Sequence, residues 1–275
     1  MPTKKHKLKN KRLFLLDIDG TVCKGKQLID GTREMLQEIK DCGGRFVFVT
    51  NNATKSIKDY RASFRELGIE TEEFNFVTAS YVTVQYLKKH YENQLIYVVG
   101  TDSFIKELKH HQIRVTTDAH NTEIGCVLVS YDNQLTYKKI QDTCELLTKR
   151  EIDYIATNPD YSCPTEFGYI PDCGAICEMI SHAVKKMPYF IGKPEPAIVE
   201  FAMQLNEFSR EETLIVGDRL YTDILCGKQA GVDTALVLTG EATLQDIEQS
   251  ECQPDYIFDS IDGLYKEWMM YETKL

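Results

Sequence analysis

The sequence predicts an α/β fold built on a parallel sheet with helices on both faces. Two observations carry this expectation. Short apolar runs alternate with helix-period segments along the chain, the pattern of successive β-α units. Three of those runs also end in polar residues, Asp17, Thr50 and Asp218. In open parallel sheets the carboxyl ends of the strands are where ligands bind, so side chains from distant parts of the chain are expected to meet at one edge.

The elements follow in order. Arg12–Leu16 is short and apolar, as a buried strand should be. A helical pattern over Thr32–Asp41 stops at Gly43-Gly44, which suits a helix C-terminus. Phe46–Val49 reads as a second strand, Lys55–Leu67 as a helix ending at Gly68, and Phe74–Thr78 as a third strand. Ile96–Val99, Cys126–Val129 and Tyr154–Thr157 read as strands in the middle of the chain. Helices are expected over Ser80–Tyr91, Ser103–His111 and Tyr137–Lys149. Thr213–Val216, Ala235–Leu238 and Tyr256–Phe258 complete the strands, and a helix begins near Glu195 with Pro196 in its first turn, where proline is tolerated.

The chain has 275 residues, 43% hydrophobic and 27% charged, enough for one large or two smaller domains with an apolar core. A net charge of −10 disfavours a polyanionic partner, so nucleic-acid binding is not expected. An acidic protein can still bind phosphate where a divalent cation gathers positive charge at one point. The nine cysteines are scattered without a Cys-x-x-Cys pair, which reads as reduced thiols in a cytoplasmic protein. Cys173 and Cys177 lie four apart on a possible helix and, with no matching histidine pair, read as packing residues. The basic stretch Met1–Arg12 is followed by only four apolar residues, too few for a signal peptide, and reads as a solvated tail. No apolar run approaches the roughly 18 residues of a membrane helix. Nothing in the sequence sets an oligomeric state.

Chemistry concentrates in Asp17-Ile18-Asp19-Gly20-Thr21, just after the first strand. Two carboxylates two residues apart can divide the work, one attacking phosphorus and the other moving a proton. Gly20 permits a sharp turn. Standing alone, the motif fits turn and capping chemistry better. An EF-hand is excluded, because its glycine and glutamate positions hold Val22 and Leu28. A phosphate loop over Gly20–Lys26 fails as well: Gln27 stands where Ser or Thr should hold magnesium, and Ile29-Asp30-Gly31 delays the helix.

Taken in order, Asp17-Ile18-Asp19-Gly20-Thr21, Thr50-Asn51-Asn52, Gly192-Lys193-Pro194 and Gly217-Asp218-Arg219-Leu220-Tyr221-Thr222-Asp223 resemble the haloacid-dehalogenase-like (HAD) superfamily. The Thr-Asn-Asn and Gly-Lys-Pro forms, with a long insertion between them, look like its NagD-like, 4-nitrophenylphosphatase-like branch. The resemblance covers nearly the whole chain. It implies a Rossmann-like parallel-sheet core of residues 1–80 and 186–275, with an inserted α/β cap domain at 81–185.

The implied activity is Mg2+-dependent hydrolysis of a small phosphorylated metabolite through a phospho-aspartyl intermediate. Asp17 would be the nucleophile and a metal ligand. Asp19 would be the general acid/base, touching the metal through its backbone carbonyl. Thr50, Lys193 and also Asn51 would hold the phosphoryl group. Asp218 would complete the metal site, with Asp223 orienting it. Magnesium prefers such hard oxygen ligands, and a lysine suits developing phosphoryl charge.

In the insertion, Asn158-Pro159-Asp160 resembles a cap segment of this branch, which makes Asn158 and Asp160 candidate substrate contacts. It fits a plain Asn-Pro turn equally well. Ser130-Tyr131, and Val22-Cys23 after the first motif, depart from the branch and leave the substrate open among sugar phosphates, nucleoside monophosphates, phosphoglycolate and pyridoxal phosphate. A phosphotransferase or mutase with the same nucleophile, and a non-enzymatic phospho-aspartate signalling module, are the alternatives.

Overall fold

The computed structural model describes residues 8–52, 57–165 and 167–272. The chain forms two compact units. The first takes the residues up to Thr50, then Ile57–Val77, then those from Pro194 onward; the second takes Asn51, Asn52 and Thr78–Lys193.

The first unit is built on a six-stranded sheet. Its order is Tyr256–Phe258, Asp233–Val237, Thr213–Gly217, Leu13–Leu16, Arg45–Thr50, Phe76–Thr78. The pairings from Tyr256–Phe258 through to Arg45–Thr50 are parallel, as the β-α alternation predicts. Leu13–Leu16 is a central strand and is buried throughout. That explains its unbroken apolar run: both of its faces are covered, so it shows no in-out alternation. The helix Thr32–Asp41 buries Met35, Leu36 and Ile39 on one face. The core holds an aromatic group, with Phe48 stacked on Phe64 at 4.3 Å and Phe14 edge-on to Trp268 at 4.8 Å. Such pairs add about 0.5–1.5 kcal/mol each beyond the area they bury.

The second unit carries its own five-stranded parallel sheet, ordered Tyr189–Phe190, Asp153–Ala156, Ile124–Val129, Leu95–Val99, Val115–Thr116. Helices Ala79–His90, Asp102–His110, Tyr137–Lys149 and Cys173–Val184 belong to it. Each of the first three opens on a threonine whose hydroxyl accepts a backbone N–H of the first turn, from Thr78, Thr101 and Thr136. A small antiparallel ribbon, Ser162–Thr165 with Gly168–Pro171, was not legible as strands.

The sequence reading returns the chain to the core at residue 186. The strand Tyr189–Phe190 pairs instead with Asp153–Ala156 of the second sheet, so the return falls at Lys193/Pro194. At the other join the helix Ala79–His90 takes its cap from Thr78, which moves the boundary to Val77/Thr78. Residues 55 and 56, expected at the start of a helix, lie outside the described residues; the helix runs Ile57–Glu66.

The basic stretch also needs correction. Its first seven residues lie outside the described ones, but Leu8 and Lys11 are each 1% exposed. The Lys11 ammonium donates to the carbonyls of Glu211 (2.7 Å) and Thr213 (2.9 Å) and pairs with Asp233 at 2.8 Å. A buried charge survives only when its donors are used this way. Lys11 thus ties the entry of the first strand to its neighbours Thr213–Gly217 and Asp233–Val237. Lys11→Ala is expected to lower stability by about 1–3 kcal/mol in urea unfolding, the cost of stranding buried partners. Unchanged stability would show that the ammonium does not anchor the strand.

Candidate active site

The register of the first sheet positions the candidate residues. Leu16 lies opposite Val216 on one side and Phe48 on the other. Asp17, one residue on, donates its N–H to the Val216 carbonyl at 2.9 Å. Asp218 and Thr50 end the two flanking strands, each two residues past the paired position. Parallel pairing thus brings the three polar strand ends level to within one residue.

Three carboxylates meet there. One oxygen each of Asp17, Asp218 and Asp223 lies within 4.8 Å of the others, and among the described residues this is the one such cluster of His, Cys, Asp or Glu. Asp218 and Asp223 are buried and Asp17 half-buried. Ligand oxygens around an octahedral Mg2+ lie within about 4.2 Å of one another, so three hard oxygen donors on this scale fit that ion.

Asp218 is fixed by backbone. The Glu241 N–H donates to its Oδ2 at 2.7 Å, and its own carbonyl accepts from the Ala242 N–H at 3.0 Å. Gly20 and Gly240 crowd the same carboxylate. A Cβ at Gly240 would stand 1.9 Å from Asp218 Oδ2, and one at Gly20, where φ is +91°, would stand 2.5 Å from it. Only glycine lets the backbone approach a carboxylate so closely. The Thr239 hydroxyl donates to the Gly20 carbonyl at 2.5 Å, joining the two loops. Arg219 pairs with Glu241 at 2.8 Å, but both side chains are partly exposed. Such a pair contributes at most about 1 kcal/mol, against about 1.5–3 kcal/mol for an N–H bonded to a carboxylate, so the backbone contact does most of the positioning.

Asp223 sits in a π-helical turn, Leu220–Ile224, which is an uncommon geometry often found at functional sites. Its Oδ2 accepts the Arg219 N–H at 3.1 Å, folding the carboxylate back toward the strand end. Asp19 is outside the three-carboxylate group. It lies half-buried in the turn after the strand, closed by the Gly20 N–H on the Cys23 carbonyl at 2.8 Å. Thr50 is buried as the last residue of its strand.

In the second unit Asn51 and Lys193 are brought together across 142 residues. The Lys193 N–H donates to Asn51 Oδ1 and Asn51 Nδ2 donates to the Lys193 carbonyl, both at 2.9 Å. Lys193 is 2% exposed, not the solvated lysine that a lone surface residue would be.

Asn158 and Asp160 are also placed side by side. Both are buried, and Asn158 Nδ2 donates to Asp160 Oδ2 at 2.9 Å. Thr157 Oγ1 lies 2.7 Å from Asn158 Oδ1 and 3.2 Å from Ser130 Oγ. These side chains serve an internal polar network at the end of the strand Asp153–Ala156. Cys173 and Cys177 pack beside it, their sulfurs 3.9 Å apart. Burial pushes the Cys177 thiol well above its ordinary pKa, which suits a packing thiol and not a metal thiolate.

Sequence reasoning passed over Thr239, Gly240 and Glu241. The available signal was the strand-end rule: Thr239-Gly240 follows the expected strand Ala235–Leu238, at the same edge as Asp17 and Asp218.

The chain is similar to known proteins along most of its length. A haloacid dehalogenase-like hydrolase family model matches residues 14–114, and a HAD-hydrolase-like model matches residues 190–264. The acid sugar phosphatase of Staphylococcus epidermidis is 31% identical over 255 residues, 93% of this chain and 97% of that protein. The acid sugar phosphatase of Staphylococcus aureus is 31% identical, covering 94% and 99%. Among solved structures, a 4-nitrophenylphosphatase from Thermotoga maritima superposes with a TM-score of 0.87 at 35% identity, covering 95% of this chain and 98% of that one. NagD from E. coli K-12 gives 0.81 at 31% identity, covering 92% and 97%.

If the glycine contacts hold Asp218 in place for a cation, Gly240→Ala should weaken Mg2+ binding about 10–100-fold, the usual cost of disturbing what supports a ligand. Calorimetric titration with Mg2+ measures this. Wild-type affinity in the variant would contradict the packing argument.

Proposed function

The chain belongs to the haloacid dehalogenase-like hydrolases and is a phosphoric monoester hydrolase, and from that premise we propose that it hydrolyses small phosphate monoesters through a phosphoryl intermediate on Asp17, with Mg2+ as cofactor. The observation that carries the reading is the convergence of Asp17, Asp218 and Asp223 at the carboxyl edge of the first sheet. A sugar phosphate is the first substrate to try, because the curated relatives are acid sugar phosphatases. The scattered cysteines, with no Cys-x-x-Cys pair, suit a reducing, cytoplasmic setting. Among the described residues no helix is long and apolar enough to cross a membrane.

Asp17 and Asp218 would hold the metal, with the Asp19 backbone carbonyl, and Asp223 would orient them. When bound, Mg2+ neutralises charge between an anionic nucleophile and an anionic substrate. The remaining work falls to the chain. The Asp17 carboxylate attacks phosphorus; a P–O bond to Asp17 forms as the bond to the leaving oxygen breaks. Asp19 donates its proton to that oxygen, releasing an alcohol. Asp19, now ionised, takes a proton from water, whose oxygen attacks the phosphorus. The bond to Asp17 breaks, and inorganic phosphate and a free carboxylate result. One residue thus serves as acid and then as base. Thr50 and Lys193 would hold the phosphoryl oxygens, Lys193 as a compact positive charge.

The second unit would be the inserted cap of this family, carrying the residues that select the leaving group. The burial of Asn158 and Asp160 favours their shaping that region through Thr157 and Ser130 over reaching out singly.

The test is phosphate release from a panel of monoesters, sugar phosphates and 4-nitrophenyl phosphate included, with Mg2+ and with chelator. Wild type should release phosphate only with Mg2+. Asp17→Asn should lose at least about 10⁴-fold in kcat, as expected for removal of a covalent nucleophile, while keeping the wild-type melting temperature. Substantial release by Asp17→Asn would remove the nucleophile assignment, and full activity in excess chelator would remove the metal.

A further inference from the structure

We propose that Asn51 is a positioning residue that sets the place of Lys193 through its backbone and does not act by binding phosphate with its own amide. This rests on the reading of Lys193 as a phosphoryl-binding cation.

The two hydrogen bonds between Asn51 and Lys193 are reciprocal. One side chain satisfies both the N–H and the carbonyl of a single residue, each at 2.9 Å. A carboxamide is the one small side chain that offers a donor and an acceptor side by side, so it can stand in for a neighbouring strand. Both partners are buried, Asn51 at 5% exposure and Lys193 at 2%, and there a lost partner is costly.

Lys193 is gripped from the other side as well. The Gly192 N–H donates to the Thr157 carbonyl at 2.7 Å, and the Ile191 N–H donates to the Ala156 carbonyl at 2.9 Å. Gly192 is wedged between the two grips: a Cβ there would stand 2.6 Å from Asn51 Oδ1 and 2.6 Å from the Thr157 carbonyl oxygen. The Gly-Lys segment is therefore a short stretch of backbone clamped between the end of the strand Asp153–Ala156 and one asparagine. The clamp joins two of the points where the chain crosses between the units, since Asn51 follows Thr50 and Lys193 precedes Pro194. The direction of the Lys193 side chain depends on where its Cα is held. The Asn51 amide holds it from a position one residue after the candidate Thr50.

Asn51→Asp tests this with little change of shape. It keeps the acceptor for the Lys193 N–H but turns the donor into an oxygen facing the Lys193 carbonyl. Asn51→Ala removes both bonds. Each is measured alone and combined with Lys193→Ala, using 4-nitrophenyl phosphate with Mg2+, inhibition by inorganic phosphate, and melting temperature. Wild type and Asp17→Asn run alongside: if wild type is inactive the phosphatase reading itself fails, separately from any result at Asn51.

The expected result is a loss of about 10²-fold in kcat/KM for Asn51→Asp, the cost of misplacing a binding group by about 1 Å. Inhibition by inorganic phosphate should weaken in parallel. In the Lys193→Ala background the same substitution should change the rate by less than about twofold, because the residue it acts through is gone. A full additional loss in that background would mean that Asn51 touches substrate itself, and would overturn the proposal. Wild-type kinetics in both single variants would do the same. Loss of cooperative melting in both would assign Asn51 to holding the fold and would equally overturn it.

Discussion

Three carboxylates forced together at the end of a parallel sheet are the constraint on which the site depends. If all three were ionised with nothing between them, each pair, lying within 4.8 Å, would repel by at least about 3 kcal/mol at an effective dielectric near 20. The fold fixes the group from several directions. Parallel registration sets Asp17 beside the end of the neighbouring strand, a backbone N–H and two glycines hold Asp218, and a π-helical turn folds back Asp223. A group of like charges held this firmly favours a divalent cation, and with it an anionic substrate that the acidic chain as a whole would repel.

The second unit shows the same preference for backbone positioning. Lys193 is held by its own N–H and carbonyl, and Asp160 accepts the Gly174 N–H at its carbonyl, at 2.8 Å, while its carboxylate meets Asn158. In both units the polar side chains that matter stand on strand ends or on the turns that follow them. A rigid sheet can place such positions to a fraction of an ångström, which a free loop cannot.

Much of this was legible in the chain. Leu13–Leu16, Arg45–Thr50 and Thr213–Gly217 announced themselves as apolar runs with polar ends, because strands covered on both faces leave that pattern. The helix Tyr137–Lys149 matched its expected limits because Thr136 caps it at one end and Arg150 breaks it at the other. What stayed hidden was long-range. Lys11 belongs to a basic run, and composition alone favours solvent; only the carbonyls of Glu211 and Thr213, some two hundred residues on, turn it inward. The Asn51–Lys193 clamp has no local signature, since its partners are 142 residues apart. Gly240 drew no reading, because its packing against Asp218 depends on the sheet order. The ribbon strands Ser162–Thr165 and Gly168–Pro171 contain too few alternating residues to declare themselves.

The central claim is that Asp17 carries the phosphoryl group. The most direct measurement is acid-quenched mass spectrometry of the Asp19→Asn variant after mixing with 4-nitrophenyl phosphate and Mg2+, because 4-nitrophenolate leaves without a proton from residue 19 while the step that needs a base is slowed. The account predicts the added mass of one phosphoryl group on the peptide containing Asp17, absent from the Asp17→Asn protein and absent in chelator. Phosphate released over the same interval with no adduct on that peptide would contradict it.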